Sequence, residues 1–458
     1  MVLFQTMPGQ GSAVSFIFRP APRSAIDSRR ACRDFLRMSA GSNQPQDALA
    51  AFRVPAFRAF WFFRLFVSSA IQIQGVAVGW QIYELTHDPL MLGLIGLAEA
   101  VPALGIALYA GHIADVMSRR TILRLATGLF LVATAALAVV SYSGFHGYLI
   151  GHIWLIYLII FLTGLCRGFL SPAQFGLLGQ IVPPELYSNA SIWNANVWQA
   201  ACIGGPAAAG FLYGFHGAAV TYALATAMLL AGWGCLFAIP NLKISGTRTD
   251  QSIIASIHEG LRFVFRSQVI FGSMALDLFA VLFGGAVALL PIYAGEILHT
   301  GPLGLGLLRM APAVGSAIVG LYLSWRPITR RAGPALMWNV AGFGVSMILF
   351  GICKNPYWSF VWLVFSGGFD AVSVFVRWTM FQIVTPDHMK GRVASVSSIF
   401  VGSSNEIGEF ESGVMAKLMG TVPSVVFGGC MTLVVAAMTA ILAPKLRALD
   451  MTKVVPEE

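Results

Sequence analysis

Long apolar stretches alternate with short polar connections along most of the chain. Between about residue 57 and residue 442, a new apolar stretch begins roughly every 30 positions. A helix of about 20 apolar residues is long enough to cross the hydrocarbon core of a bilayer. The pattern therefore predicts twelve membrane-spanning helices and an all-α membrane protein. We place these helices near residues 59–84, 89–112, 121–143, 149–178, 190–213, 219–239, 269–297, 303–325, 334–353, 357–384, 394–419 and 422–443.

The longest polar connection separates the predicted helices into two sets of six. It begins with a polar segment at 243–251 and continues with apolar residues at helical spacing, while basic residues occupy another face. A helix of this kind is expected to lie on the inner surface of the membrane. The apolar face consists of Ile254, Ile257, Leu261 and Phe265.

A short repeat supports the division into two halves. The sequence Gln180-Ile181-Val182 with Pro184-Glu185 recurs 202 positions later as Gln382-Ile383-Val384 with Pro386-Asp387. Each copy lies between the fourth and fifth predicted helix of its half. We therefore expect two six-helix bundles, preceded by a leader and followed by a tail. The boundaries are 1–51 for the leader, 52–240 and 269–444 for the bundles, 241–268 for the linker and 445–458 for the tail.

The leader differs in composition from the rest of the chain. It contains scattered arginines among Pro, Ser, Gly and Ala, and it has no apolar core of the kind found in signal peptides. This composition predicts disorder. Translation from Met1 and translation from Met38 are equally compatible with the sequence.

Composition and charge agree with a protein whose solvent is the bilayer. Hydrophobic residues make up 57% of the chain and charged residues 11%, whereas soluble proteins are about 25% charged. The formal net charge of +9 comes from basic residues in the connections between helices, so we expect no binding of nucleic acid. Their distribution follows the positive-inside rule and predicts cytoplasmic termini in a bacterial-type inner membrane.

The sequence lacks the motifs that indicate several kinds of chemistry. The six cysteines are scattered without CxxC spacing, so we expect neither a disulfide nor a metal site. The sequence has no Gly-Lys-Ser/Thr phosphate loop and no HExxH motif. We expect no enzyme activity and no cofactor, and transport, if it occurs, would be passive or powered by an ion gradient.

Other segments resemble a known family of transporters. The loop after the second helix reads Gly111-x-x-Ala114-Asp115-x-x-x-Arg119-Arg120 and is similar to the signature of the major facilitator superfamily. Further segments resemble its enterobactin-exporter-like efflux branch over roughly residues 52 to 450. These are Tyr83-Glu84-Leu85-Thr86, Gly205-Pro206-Ala207-Ala208-Ala209-Gly210, Gly391-Arg392-Val393 and the segment from Ser403 to Phe410.

The resemblance implies roles for particular residues. The loop would latch the two bundles in an outward-facing state, with Asp115 facing the N-terminal end of helix eleven. Helices one, four, seven and ten would line a central cavity. The implied latch residues are Gly111, Asp115, Arg119, Arg120 and Arg392. From the residues themselves, Gly205, Pro206 and Gly210 are expected to permit close packing of helix five.

Ionisable residues inside the predicted helices are the main candidates for function. Each costs about 2.5–3.5 kcal/mol at the bilayer centre, so such residues tend to be retained for a reason. Structural ion pairs that fix helix packing are the alternative interpretation. We select Asp370, Asp277, Glu406 and Glu99 as proton-coupling candidates. We select Arg64, Gln72, Gln74, Arg167 and Arg377 as cavity or substrate candidates.

These observations leave three hypotheses from different classes. The first is a proton-coupled exporter of a small amphiphilic or siderophore-like molecule that works by alternating access. The second is a lipid or lysolipid flippase on the same fold, and the third is a membrane sensor that transports nothing. For the exporter, the expected partners are a small-molecule substrate, protons and membrane lipids, and the expected state is a monomer.

Overall fold

The computed structural model describes residues 47–142, 151–241, 253–326, 328, 330–386 and 389–451. Side chains are described for all of these except residues 107, 108, 111, 112, 114–116, 253–258, 391, 392, 395, 398, 399 and 403. The leader up to residue 46 and the tail from residue 452 lie outside the described residues, and the predictions for them stay predictions.

Helices account for nearly all of the described chain, and no strand occurs in these ranges. Those of the first half are α1 (Pro55–Thr86), α2 (Pro89–Val116), α3 (Arg119–Val140), α4 (Trp154–Ile181) and α5 (Tyr187–Cys235). The linker forms α6 (Ile253–Arg266). Those of the second half are α7 (Gln268–Gly284), α8 (Gly301–Trp325), α9 (Ala332–Ile352), α10 (Pro356–Val384), α11 (Lys390–Met419) and α12 (Thr421–Leu442), followed by the short α13 (Pro444–Arg447).

Polar caps mark where several of the apolar helices begin. The Asp88 side chain accepts a hydrogen bond from the backbone N–H of Leu90 at the start of α2, and Pro89 occupies the first helical position. Ser118 caps α3 and Asn355 caps α10 in the same way. Because these caps are short polar residues in otherwise apolar sequence, the helix boundaries are encoded locally.

Ten helical segments among the described residues are long and apolar enough to cross a membrane. One of them, Pro184–Cys235, has 52 residues and is long enough for two passes. Gly217 interrupts it with a φ of 79°, at the place where the sequence predicts a loop between the fifth and sixth helices. Helix α11, with several acidic residues, is not among the ten. The all-α fold is confirmed, and the count of twelve spanning helices stays a prediction.

The predicted seventh spanning segment over residues 269–297 is present as Gln268–Ile297, but it is not one continuous α-helix. Helix α7 ends at Gly284, and the chain continues through short turns to a π-helical segment at Tyr293–Ile297. Two features explain the break. The pair Gly284-Gly285 weakens the helix, and Pro291 has no N–H to donate.

The amphipathic linker helix forms at the predicted place. Val264 is fully buried, whereas Phe265 is 59% exposed. The Phe265 ring packs against the Phe271 ring with an interplanar angle of 42°. Helix α6 packs on α7 and α11, so contact with these two helices sets the buried face. Phe265 is thus exposed outside the protein interior, and the prediction that it lies on the membrane surface stays a prediction.

The pairing of helices in the first half recurs in the second half. Helix α1 packs on α5, α2 on α4, and α3 on α4 and α5. Correspondingly, α7 packs on α11, α8 on α10, and α9 on α10 and α12. The two halves meet mainly where α2 contacts α11 and where α5 contacts α8. These two contacts position the residues of the candidate site.

Candidate functional site

Two glycine crossings bring the halves together. At the first, a Cβ added to Gly413 of α11 would lie 2.8 Å from the Pro89 carbonyl oxygen and 2.7 Å from the Gly93 Cα of α2. At the second, a Cβ added to Gly210 of α5 would lie 2.7 Å from the Pro302 carbonyl oxygen and 2.8 Å from the Gly306 Cα of α8. Glycine is therefore required on both sides, because any side chain would separate the backbones.

The close contact at the crossings does not continue along the whole length of α8 and α11. Gly402 lies three turns from Gly413 on the same face of α11, yet a Cβ added there would meet none of the described atoms within 4 Å. Gly320 of α8 likewise meets nothing within 4 Å, although Gly306 of that helix is in close contact. We call the end of the molecule that holds the two crossings the closed end.

Polar contacts reinforce the closed end. The Lys417 ammonium of α11 lies 2.7 Å from the Asp88 carboxylate, and this hydrogen bond and the ion pair lower the pKa of Asp88 from its ordinary value. The Tyr83 hydroxyl donates to Glu296 across the two halves at 3.5 Å. Within the first half, the Tyr213 hydroxyl donates to Glu84 at 2.7 Å. In the sequence, Glu84 was identified only as part of a family motif. No sequence pattern indicated a role for Glu296.

A charged cluster lies deeper in the same interface, and we call it the interface cluster. The Arg167 guanidinium of α4 binds the Glu99 carboxylate of α2. Its other terminal nitrogen lies 3.9 Å from the Glu406 carboxylate of α11. Glu409, one turn from Glu406, lies against α2 at Gly96. The structure thus joins two proton-coupling candidates to one cavity candidate across the halves.

A second charged group lies within the second half alone, and we call it the second-half cluster. Arg377 of α10 binds Asp277 of α7, and both side chains are almost completely buried. Asp370 lies two turns from Arg377 on α10, near enough to interact electrostatically with both Arg377 and Asp277. Among the described residues, no hydrogen bond or ion pair joins Asp370 to Arg64 or Arg167, since each arginine is held elsewhere.

The remaining cavity candidates separate into two groups. Arg64 of α1 binds the Gln174 side chain of α4, although its Nε is buried without a hydrogen-bond partner. Gln74 is buried and accepts a hydrogen bond from Thr134 of α3, so it faces the interior of the first half. Gln72 instead faces α5, where its amide donates to the Cys202 sulfur at 2.8 Å.

The predicted latch is described only in part. The side chains of Asp115 and Arg392 are not among those that the structure describes, and no contact of Gly111 is described. Arg119 donates to the Gly176 carbonyl at 2.7 Å, and Arg120 donates to the Leu236 and Phe237 carbonyls. Both arginines therefore bind backbone oxygens of α4 and of the chain at the end of α5, all within the first half.

The small residues Gly205 and Gly210 of α5, together with Pro206, pack against two neighbouring helices. Gly205 packs against α1, where an added Cβ would come within 2.6 Å of the Gln72 Cβ. Pro206 and Gly210 pack against α8 at the second crossing. Glu411 of α11 has a buried carboxylate oxygen with no hydrogen-bond partner among the described residues.

The comparisons with known proteins agree with this architecture. The profile of the transmembrane secretion effector family matches residues 46–458. The chain therefore belongs to this family of the major facilitator superfamily, and it is a membrane transporter and not an enzyme. The predicted resemblance to the superfamily is confirmed.

Relatives and solved structures extend the match over most of the chain. The enterobactin exporter EntS of Salmonella choleraesuis (strain SC-B67) is 26% identical over 411 residues, which cover 87% of this chain and 94% of that protein. A D-xylose–proton symporter superposes with a TM-score of 0.68 at 15% identity, over 87% of this chain and 100% of the other. A bacterial homologue of the iron transporter ferroportin, in an inward-facing state, superposes with a TM-score of 0.64 at 16% identity, over 87% and 100% of the two chains. These structures share the fold.

Proposed function

We propose that the protein is a proton-coupled exporter of a small siderophore-like molecule that works by alternating access. The observation that carries this proposal is the interface cluster, in which an arginine of one half lies between carboxylates of both halves. A movement that separates the halves must change its contacts. The similarity to EntS supports export as the direction and a siderophore-like molecule as the substrate.

The direction in which the cavity opens follows from the proposed orientation. With basic connections in the cytoplasm, the closed end lies on the external side of the membrane. The lack of close neighbours at Gly320 and Gly402, among the described residues, supports a cavity that is open to the cytoplasm. In this state Arg119 and Arg120 are bound to carbonyls of their own half, as expected when a cytoplasmic latch is released.

Coupling follows from what happens to the acids when the halves separate. Glu406 would move away from Arg167 as α11 leaves α2 and α4. A carboxylate without a cation in a membrane interior is more stable when it is protonated. Glu406 would thus bind a proton in the state open to the outside and release it when Arg167 returns. Asp370 would provide a second protonation site on a cavity-lining helix.

Efflux from cells tests the transport proposal. Cells with and without the protein would be loaded with enterobactin, and its appearance in the medium would be measured with and without a protonophore. We expect faster export that the protonophore abolishes. Export at the same rate with and without the protonophore would contradict proton coupling. No export of enterobactin, together with movement of labelled phospholipid, would favour the flippase.

A matched pair of glycine substitutions tests alternating access. Gly413→Ala places a methyl group against the backbone of α2, whereas Gly402→Ala places one in open space on the same face of α11. The intrinsic gain in helix propensity is the same for both. We expect Gly413→Ala to slow export and Gly402→Ala to leave it unchanged. Equal rates would show that the crossing does not open and close during transport.

Tags test the proposed orientation. A tag at residue 458 and one within 243–251 should be protected from the outside, whereas a tag at 214–217 should be accessible there. An external C-terminus would reverse the assignment of the closed end.

A further inference from the structure

Arg309 differs from the other arginines described within the spanning helices. Arg64, Arg167 and Arg377 each bind a side-chain oxygen. Arg309 lies on α8, about 12 Å from the helix start at the closed end. Among the described residues, its guanidinium has no acceptor within hydrogen-bond distance and no carboxylate within 4 Å.

An unpaired guanidinium at this depth needs either water or an anion. A cation in a spanning helix costs several kcal/mol unless it faces a partner or a hydrated cavity. Glu409 is near enough to interact electrostatically with Arg309, but one of its carboxylate oxygens lies against Gly96 of α2. The interior of the protein therefore leaves the donors of Arg309 available.

The surroundings of Arg309 are polar and come from both halves. A terminal guanidinium nitrogen lies 3.5 Å from the position of a Cβ on Gly75 of α1. Gln72 lies one turn away on the same face of α1 and donates to Cys202 of α5. Helices α1, α5 and α8 thus bring an amide, a thiol and a free guanidinium to one level of the interface.

We propose that Arg309 and Gln72 form a subsite for an anionic oxygen group of the transported molecule, and that the substrate is therefore an organic anion. This inference rests on the proposed transport function. A planar guanidinium binds a carboxylate through two parallel hydrogen bonds, which gives both charge and orientation. Because Gln72 and Arg309 belong to different halves, an occupant would contact both and stabilise the state in which the closed end is shut.

Cys202 provides a reporter inside the proposed subsite. In a variant that keeps Cys202 as its single cysteine, the rate of maleimide labelling would be measured in detergent. The probes are salicylate and its neutral amide, salicylamide, which have similar shape and differ in charge. We expect salicylate to slow labelling several-fold and salicylamide to have little effect.

Substitutions of Arg309 complete the test. Arg309→Gln should raise the salicylate concentration needed for half-protection about tenfold or more, whereas Arg309→Lys should retain part of the protection. Arg326→Gln, at the exposed end of the same helix, is the matched control and should behave like the parent. Equal protection by both probes, unchanged protection in Arg309→Gln, or no protection of the parent protein would each overturn the inference.

The two proposals fail separately. Export of a siderophore-like molecule without protection of Cys202 by salicylate would leave transport standing and remove the anionic subsite. If salicylate protected Cys202 in a manner that depends on Arg309 but the protein exported nothing, the anionic subsite would be supported and the proposed export function would be contradicted.

Discussion

The two charged clusters use the same chemistry in different mechanical settings. In the second-half cluster, Arg377 and Asp277 are 9% and 8% exposed and both belong to helices of one half. In the interface cluster, Arg167 is 32% exposed and faces carboxylates from both halves. A pair within one rigid unit keeps its contacts while the halves move, whereas a group between the units must exchange them. The first arrangement is suited to holding a fold and the second to coupling a movement.

The largest effect is expected on stability, from the second-half cluster. Arg377→Gln leaves Asp277 as a buried carboxylate without a cation, which costs about 3–5 kcal/mol. The purified variant should unfold in detergent well below the parent temperature or fail to accumulate. Asp277→Asn combined with Arg377→Gln should recover most of the loss, because neither charge remains. A variant as stable as the parent would contradict a structural role for this pair.

The next effect concerns transport, from the interface cluster. Arg167→Gln should abolish gradient-driven export, since Glu99 and Glu406 then lose the cation that they share. Its thermal stability should fall less than that of Arg377→Gln, because the side chains of the interface cluster are less buried. If instead Arg167→Gln destabilised the protein as strongly and spared export, the roles of the clusters would have to be exchanged.

Asp370 lies next to the second-half cluster and sharpens the comparison. Asp370→Asn should abolish uphill efflux but spare substrate binding or exchange, because the amide keeps the shape and cannot release a proton. Glu185→Gln, in the turn before α5, is the control and should change neither. Uphill transport with an unchanged pH dependence in Asp370→Asn would make Asp370 a packing residue.

The smallest effect is expected at the exposed pair of the closed end. Lys417 lowers the pKa of Asp88, so the stabilisation by this pair is present above the ordinary Asp value of 3.8 and is lost as the pH falls below it. Lys417→Met should change stability by at most about 1 kcal/mol. The change should be the same at pH 6 and pH 8, as measured by thermal unfolding. A change that grew between these pH values would point to a different titrating group.

Local sequence predicted the fold better than the site. Apolar length located most helix ends to within a few residues, because a spanning helix needs a run of about 20 apolar residues. The break after Gly284 was missed, since an apolar stretch with two glycines and one proline still reads as a single helix. The charged residues were found one by one, because an ionisable residue in an apolar run stands out in any sequence.

The partners of these charged residues could not be predicted from the sequence, because the crossings between helices decide which side chains meet. Arg167 and Glu406 are far apart in the chain, and they meet only because α2 and α11 touch at Gly93 and Gly413. Arg309 was not among the predicted site residues for the same reason. The close approach of α5 and α8 at Gly306 brings it against α1, and periodicity within α8 contains no information about that contact.

The two crossings have a consequence for the ancestry of the protein. Pro89 and Gly93 in the first half correspond to Pro302 and Gly306 in the second, and Gly210 corresponds to Gly413, 203 positions later. Each half therefore carries both surfaces of the contact, one on its second helix and one on its fifth. This is the self-complementary arrangement of an isologous interface in a twofold homodimer. A single six-helix ancestor with one Pro-x-x-x-Gly segment and one further glycine could have shut the same end by pairing with a second copy of itself.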